Sequence, residues 1–168
     1  MDLSTIANSI EYNGAGTLFW TTDKNGDIWV LLARRRESSI LGRGYTFSIP
    51  VVSTSEHETS EEAAARAAHD ELGLMPVSSG AVEFWDIEEG RISMHLYAQH
   101  LSSMKKPTCR NNYIDATWIS LPDDYVVEDG DILLRDELKA FRKAVLPLVQ
   151  KKSGPNSIYS LAAVGALS

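Results

Sequence analysis

The chain has 168 residues, a formal net charge of −7 and 43% hydrophobic residues. This length suits one domain over residues 1–168, with a core at about 15–149 and a C-terminal tail at 150–168, and the hydrophobic content favours a globular chain. The acidic charge argues against a nucleic-acid polymer as partner, because phosphate backbones attract basic surfaces. It leaves room for a small nucleotide, whose charge a metal can neutralise.

Targeting signals and cysteine usage narrow the cellular setting. The sequence shows no charged-then-apolar leader and no apolar run near the roughly 20 residues that span a bilayer, which predicts a cytoplasmic protein with no membrane partner. The single cysteine, Cys109, excludes an intrachain disulfide and suits a reducing compartment. Its favoured interpretation is an ordinary small residue in a loop.

Hydrophobic patterns and chain breakers predict alternating strands and helices. We expect a polar turn at 23–27 and polar loops at 38–44 and 102–112. Extended segments are expected at residues 16–22, 28–34, 45–50, 80–88, 91–99 and 116–120. Helices are expected at residues 60–72 and 131–149. This order predicts an α/β fold with a mixed sheet and helices packed on its faces.

The predicted helix at 60–72 carries the most specific signals. Thr59 can act as its N-cap with Glu62 three residues on, which is the spacing of a capping box. Gly73 supplies a C-terminal position that tolerates left-handed geometry. Asp70 and Glu71 lie three and four positions after Ala67. Positions with this spacing are neighbours on a helix, so the two acids share one side of it. A solvated acidic face is the common explanation for such a pair taken alone.

The spacing of the surrounding residues resembles the Nudix box, G-x5-E-x7-R-E-U-x-E-E-x-G-U, in which U is aliphatic. Val52 replaces the first glycine of that pattern, and Ala67 replaces the glutamate after the arginine. The residues that precede the box are also similar to those of the family. Pro50 is followed by Val51 and Val52, where the family has proline followed by two glycines. The matching positions, with aspartate for glutamate at 70, are Glu58, Arg66, Asp70, Glu71, Gly73 and Leu74.

The resemblance covers residues 15 to 145 and implies a Nudix-like α/β/α sandwich. It implies a metal-dependent hydrolase that cleaves the diphosphate of a nucleoside diphosphate linked to another group, with Mg²⁺ or Mn²⁺ as cofactor and a small nucleotide-type substrate. The implied catalytic residues are Glu58, Arg66, Asp70 and Glu71. The implied metal ligands are Asp70 and Glu71, joined by Glu58 or by Asp115 from a later loop. Arg66 would hold carboxylates in place.

Several of these positions have an alternative interpretation. Asp115 can be a turn residue at the entry to a strand. Arg34 and Arg36 can bind substrate phosphate, since arginine suits phosphate geometry, or they can be solvated charge at a strand end. His57 and His69 are candidates for proton transfer, because histidine is the usual acid–base side chain near neutral pH. His69 is better explained as a surface residue.

Three functions therefore stay open. The first is the metal-dependent hydrolase, and the second is a catalytically impaired Nudix-fold module that binds nucleotides or regulates. The third is an unrelated α/β interaction domain with a chance motif. Ala67 weighs toward the second, because a methyl group neither binds metal nor accepts a proton. The oligomeric state is open as well, with a homodimer among the options.

Overall fold

A computed structural model describes residues 12–35, 47–76, 80–89, 92–111, 113–121 and 133–152. The predicted loop at 38–44 lies outside the described residues, and so does Arg36. Seven strands lie within these ranges: β1 Tyr12–Thr22, β2 Ile28–Arg35, β3 Phe47–Ser48, β4 Val51–Ser53, β5 Val82–Glu89, β6 Ile92–His100 and β7 Tyr113–Ser120. Two helices are described: α1 Ser60–Leu72 and α2 Leu134–Lys152. None of the described helices is both long and apolar enough to cross a membrane.

The seven strands form one mixed sheet around β1. Its main path runs β3-β2-β1-β6-β5, with β4 added to β1 and β7 added to β2. The β1–β6 pair is parallel, from Tyr12 opposite Ile92 to Trp20 opposite His100, and the other pairs are antiparallel. The prediction of a mixed sheet with helices on its faces is confirmed, and α1 matches its predicted bounds.

Each helix covers one face of the sheet. Helix α2 packs on the sheet through an apolar stripe of residues three or four apart. These residues share a core cluster with Leu32. They are Leu134, Leu138, Phe141 and Val145. Helix α1 packs on the opposite face, where Ala68 and Leu72 meet Phe19 and Leu31. Alternation along β1 produces this division, since Leu18 lies in the α2 cluster and Phe19 in the α1 cluster.

The β1–β4 pair brings the chain into position before α1. Gly16 is opposite Val51, and a Cβ atom on Gly16 would lie 2.3 Å from the carbonyl oxygen of Pro50. Only glycine therefore allows the two backbones to approach this closely. Val51 and Val52, which stand in place of two glycines of the resembled motif, lie in a regular strand, and Val52 packs beside α1.

Helix α1 is fixed at both ends and in its middle. Thr59 and Glu62 form the predicted capping box, with bonds of 3.0 and 3.1 Å. Gly73 ends the helix in the left-handed conformation with φ 66°, as expected for a C-terminal glycine. The Thr17 hydroxyl of β1 donates a buried 2.8 Å hydrogen bond to the carbonyl oxygen of Ala64. These contacts hold the acidic end of α1 in a fixed orientation to the sheet.

Candidate active site

Arg66 and Glu58 form a bidentate ion pair between helix α1 and the loop that precedes it. Arg66 Nε donates to Glu58 Oε2 and Arg66 Nη2 to Glu58 Oε1, each at 2.9 Å. Arg66 Nη2 also donates to the carbonyl oxygen of Ser53 at 2.7 Å, which ties α1 to the end of β4. The predicted contact between Arg66 and a carboxylate is thus present.

The same contacts set the charge of Glu58. The Arg66 guanidinium and the backbone N–H of Ser55 lower the pKa of Glu58 to about 2. Glu58 in turn raises the pKa of Arg66. Both carboxylate oxygens of Glu58 are engaged, so Glu58 acts here as a brace between the loop and α1.

Glu71 is the buried acid of the site. It is only 6% exposed, and its Oε2 atom is buried without a hydrogen-bond partner among the described residues. Burial raises the pKa of Glu71, with a smaller contribution from nearby Asp70 in the same direction and an opposing one from Asn111. A solvated acidic face does not explain this residue, because carboxylates are rarely buried without a partner or a metal.

Asp70 stands beside Glu71 but is more accessible. Its Oδ1 atom lies 3.0 Å from Nδ1 of His69, and about half of the His69 side chain is exposed. The Asp70–Glu71 pair therefore offers one accessible and one buried carboxylate at the last turn of α1.

The loop before β7 closes the end of α1, a role that sequence reasoning missed. The backbone N–H groups of Thr108 and Arg110 donate to the carbonyl oxygens of Leu72 and Glu71 at 2.8 and 3.1 Å. Asn111, which adopts φ 56°, donates through Nδ2 to the Asp70 carbonyl oxygen at 3.2 Å. The Asn-Asn pair at 111–112 was the available signal, because asparagine tolerates left-handed geometry.

Ala67 is fully buried one turn before Glu71. It provides no oxygen where the resembled box has a glutamate. The missing carboxylate is therefore replaced by core packing rather than by open space.

Arg34 and Asp115 meet each other across β2 and β7. Arg34 Nε donates to Asp115 Oδ1 at 2.8 Å, and Arg34 Nη2 contacts Asp115 Oδ2. The guanidinium also lies 5.7 Å from the centre of the Phe47 ring. Asp115 shares a strand face with Ile119, which packs in the α2 cluster, whereas Glu71 belongs to α1 on the other side. Arg34 holds the pKa of Asp115 below its ordinary value.

The box acids do not converge on one point. Within the described ranges, the group of at least three His, Cys, Asp or Glu side chains whose ligand atoms lie within 4.8 Å of one another is Glu83, Asp86 and His95. These three residues lie on β5 and β6, and sequence reasoning missed them. At the box, Glu58 is held by Arg66 and Asp115 by Arg34, whereas Glu71 Oε2 has no partner among the described residues and Asp70 Oδ1 lies 3.0 Å from His69 Nδ1.

This architecture, with a loop and a capped acidic helix leading out of a mixed sheet between two helices, is the Nudix fold. A C. elegans Ap4A hydrolase structure matches 81% of this chain and 98% of its own, with 14% identity and a TM-score of 0.62. A MutT/nudix protein from Enterococcus faecalis matches 96% and 75%, with 11% identity and a TM-score of 0.67. The NUDIX domain of Shewanella oneidensis NrtR, solved with ADP ribose, matches 88% and 94%, with 16% identity and a TM-score of 0.64.

These identities are low, so the likeness establishes the fold and leaves the chemistry to the residues of the site. No protein-family model and no curated protein matches the sequence. The Nudix resemblance is thus confirmed as a fold.

Proposed function

We propose that the protein is a metal-dependent hydrolase that cleaves the diphosphate of a nucleoside diphosphate linked to another group. The observation that carries this proposal is the buried carboxylate of Glu71, whose Oε2 atom has no partner among the described residues. It stands at the position where the resembled box has a metal ligand, within a fold shared with an Ap4A hydrolase and with an ADP-ribose complex.

The residues present fit one Mg²⁺ or Mn²⁺ ion that retains several waters. Magnesium is commonly held by one or two carboxylates plus substrate phosphates, and Asp70 with Glu71 supplies two. When bound, such an ion neutralises and orients the diphosphate and lowers the pKa of a water ligand. We do not assign Glu58 as a direct ligand, because Arg66 and the Ser55 N–H already use its oxygens.

The two arginines of the site have different proposed roles, one in positioning the site and one in binding phosphate. Arg66 links Glu58, the end of β4 and α1, so it keeps the entry loop and the acidic helix in register. Arg34 would bind a substrate phosphate, whose oxygens would replace the Asp115 carboxylate. The planar guanidinium group forms paired hydrogen bonds with either carboxylate or phosphate oxygens. Arg36 keeps its proposed role in phosphate binding. Asp115 is bonded to Arg34 on the opposite side of the sheet from Glu71, so we do not assign it to the same metal ion.

A nucleotide-binding or regulatory module with impaired catalysis is the second candidate. Ala67 favours it, because this buried methyl group removes a carboxylate from the box. The closed Arg66–Glu58 pair favours it as well, because it leaves Glu58 less available as a base.

Calorimetric titration with Mn²⁺ separates these functions from a fold without a metal site. Asp70→Asn with Glu71→Gln should abolish binding while the fold is retained. The matched control is Asp136→Asn with Glu137→Gln, the adjacent acidic pair in the first turn of α2. Equal binding by wild type and the α1 double variant would contradict the metal assignment.

A turnover assay then separates hydrolase from module. Release of phosphate or AMP would be followed over dinucleoside polyphosphates, ADP-sugars and nucleoside triphosphates. Turnover that requires Mn²⁺ and disappears in the α1 double variant supports the hydrolase. Tight nucleotide binding with no turnover of any compound would replace it with the module.

A further inference from the structure

Three side chains of the types that commonly bind metals lie together on the β5–β6 hairpin. His95 Nδ1 is 2.8 Å from Glu83 Oε2 and 3.5 Å from Asp86 Oδ1, and the three ligand atoms lie within 4.8 Å of one another. The His95 side chain is only 17% exposed, whereas both carboxylates reach solvent. One nitrogen and two oxygens therefore meet at one point beside the sheet.

A β-bulge in β5 is what brings the two carboxylates to the same side. Residues three apart on a regular strand point to opposite faces, so Glu83 and Asp86 would diverge. Between Glu83 and Trp85 the register shifts by one residue, which leaves Glu83 opposite Tyr97 and Asp86 opposite His95. Since residues opposite one another share a face, both acids join His95 and Tyr97. Bulges that re-aim a side chain are common beside functional sites.

An outer contact orients the histidine. His95 Nε2 lies 3.2 Å from the Ser93 hydroxyl. In the tautomer protonated at Nε2, this nitrogen donates to Ser93 and leaves the Nδ1 lone pair directed at the two carboxylates. An outer partner of this kind on the histidine is typical of metal ligands.

We propose that Glu83, Asp86 and His95 form a binding site for a divalent transition-metal ion of the Zn²⁺ type. Imidazole and carboxylate together suit zinc better than Mg²⁺, which prefers oxygen ligands. In a tetrahedral zinc site, bonds of about 2.0–2.1 Å place neighbouring ligand atoms about 3.3 Å apart. The distances of 2.8 and 3.5 Å bracket that value, so binding needs only small side-chain movements.

Three protein ligands leave a fourth position for water or a substrate oxygen. No residue of this site lies on α1, so the proposal does not depend on Asp70 and Glu71. The competing arrangement is a protonated His95 held by two carboxylates without metal. The two arrangements differ in one measurable respect, which is affinity for zinc.

Zinc titration of the full chain tests the site. Metal-free protein would be titrated with Zn²⁺ by calorimetry, and with Co²⁺ as a visible-absorption probe of a tetrahedral N/O site. We expect one ion bound tightly at the hairpin, whose affinity is reduced at least tenfold by His95→Gln and by Asp86→Asn. Replacing Ser93 by alanine should weaken binding less, because it removes an outer contact only.

Two controls and a second test variant fix the interpretation. His57→Gln, at an exposed histidine, should bind Zn²⁺ as wild type does. The Asp70→Asn, Glu71→Gln variant should also retain this ion, which distinguishes the hairpin site from the box. If His95→Gln destabilises the fold, Asp86→Asn, at an exposed position, decides the result. Unchanged Zn²⁺ affinity in both variants, or no binding by wild type, would overturn the proposal.

Discussion

Replacing Glu71 by methionine should stabilise the metal-free protein while removing its capacity to bind Mn²⁺. The side chain keeps a similar length and loses a buried carboxylate whose Oε2 atom has no partner among the described residues. A buried unsatisfied polar group costs about 1–3 kcal/mol. For a chain of this size, 1 kcal/mol shifts Tm by about 2–4 °C, so the gain in Tm is about 2–12 °C.

The sign of the pH dependence follows from the raised pKa of Glu71. Its unfolded value is near 4.5, and burial raises the folded value. Below pH 4.5 the group is protonated in both states, so the cost of ionising it in the folded state is absent. As pH rises above 4.5, the folded state must release a proton that it binds more tightly than the unfolded state does, so stability is lost. The advantage of Glu71→Met should therefore be smaller at pH 4.5 than at pH 7.5.

The assay is urea unfolding with a chelator at both pH values, followed by thermal melts with and without Mn²⁺. Wild type should gain Tm with added Mn²⁺ by mass action, and Glu71→Met should not. Asn111→Ala provides a check, because Asn111 opposes part of the rise in the pKa of Glu71 that burial causes. A metal-free variant that is no more stable than wild type at neutral pH would refute the orphaned-carboxylate reasoning.

Three further outcomes test other parts of the structure. Glu58→Gln should destabilise the protein near neutral pH, and because the pKa of Glu58 is lowered to about 2, this difference should vanish as pH falls from 4.5 to 2 in acid-unfolding curves. Ala67→Glu should raise hydrolysis by about 10²–10⁴-fold if the absent carboxylate limits the rate, and should lower Tm because position 67 is fully buried; unchanged turnover would place the base elsewhere. Gly16→Ala should cost about 1–3 kcal/mol by urea unfolding, since its Cβ would lie 2.3 Å from the Pro50 carbonyl oxygen.

Local sequence signals predicted the elements of the fold well. Helix α1 could be bounded to the residue because Thr59, Glu62 and Gly73 act within a few positions of one another. Six of the seven described strands were predicted with shifted ends, and β4 was missed. For example, β1 begins at Tyr12 rather than at 16, because its pairing with β6 continues to that point. Strand ends depend on partners distant in sequence, which a local pattern does not contain.

The site was less predictable for the same reason. The Arg66–Glu58 contact followed from a spacing within one loop and helix. The Arg34–Asp115 pair did not, because it depends on the register of β2 against β7. The group of Glu83, Asp86 and His95 was harder still to predict. Strand alternation assigns Glu83 and Asp86 to opposite faces, and only the bulge in β5 places them on the same face.

The parallel pairing of β1 with β6 has a consequence for how the chain reaches this structure. It joins Tyr12 to Ile92 and Trp20 to His100, so one long side of the central strand has no partner until most of the chain has been synthesised. Contacts between residues this far apart slow folding, because the intervening loop must be closed before the contacts repay its entropy. During synthesis β1 can pair early with β2 and β4 while its other edge stays open to other chains. We expect destabilising substitutions in β6 to cause aggregation of newly made chains more than loss of activity in the folded protein.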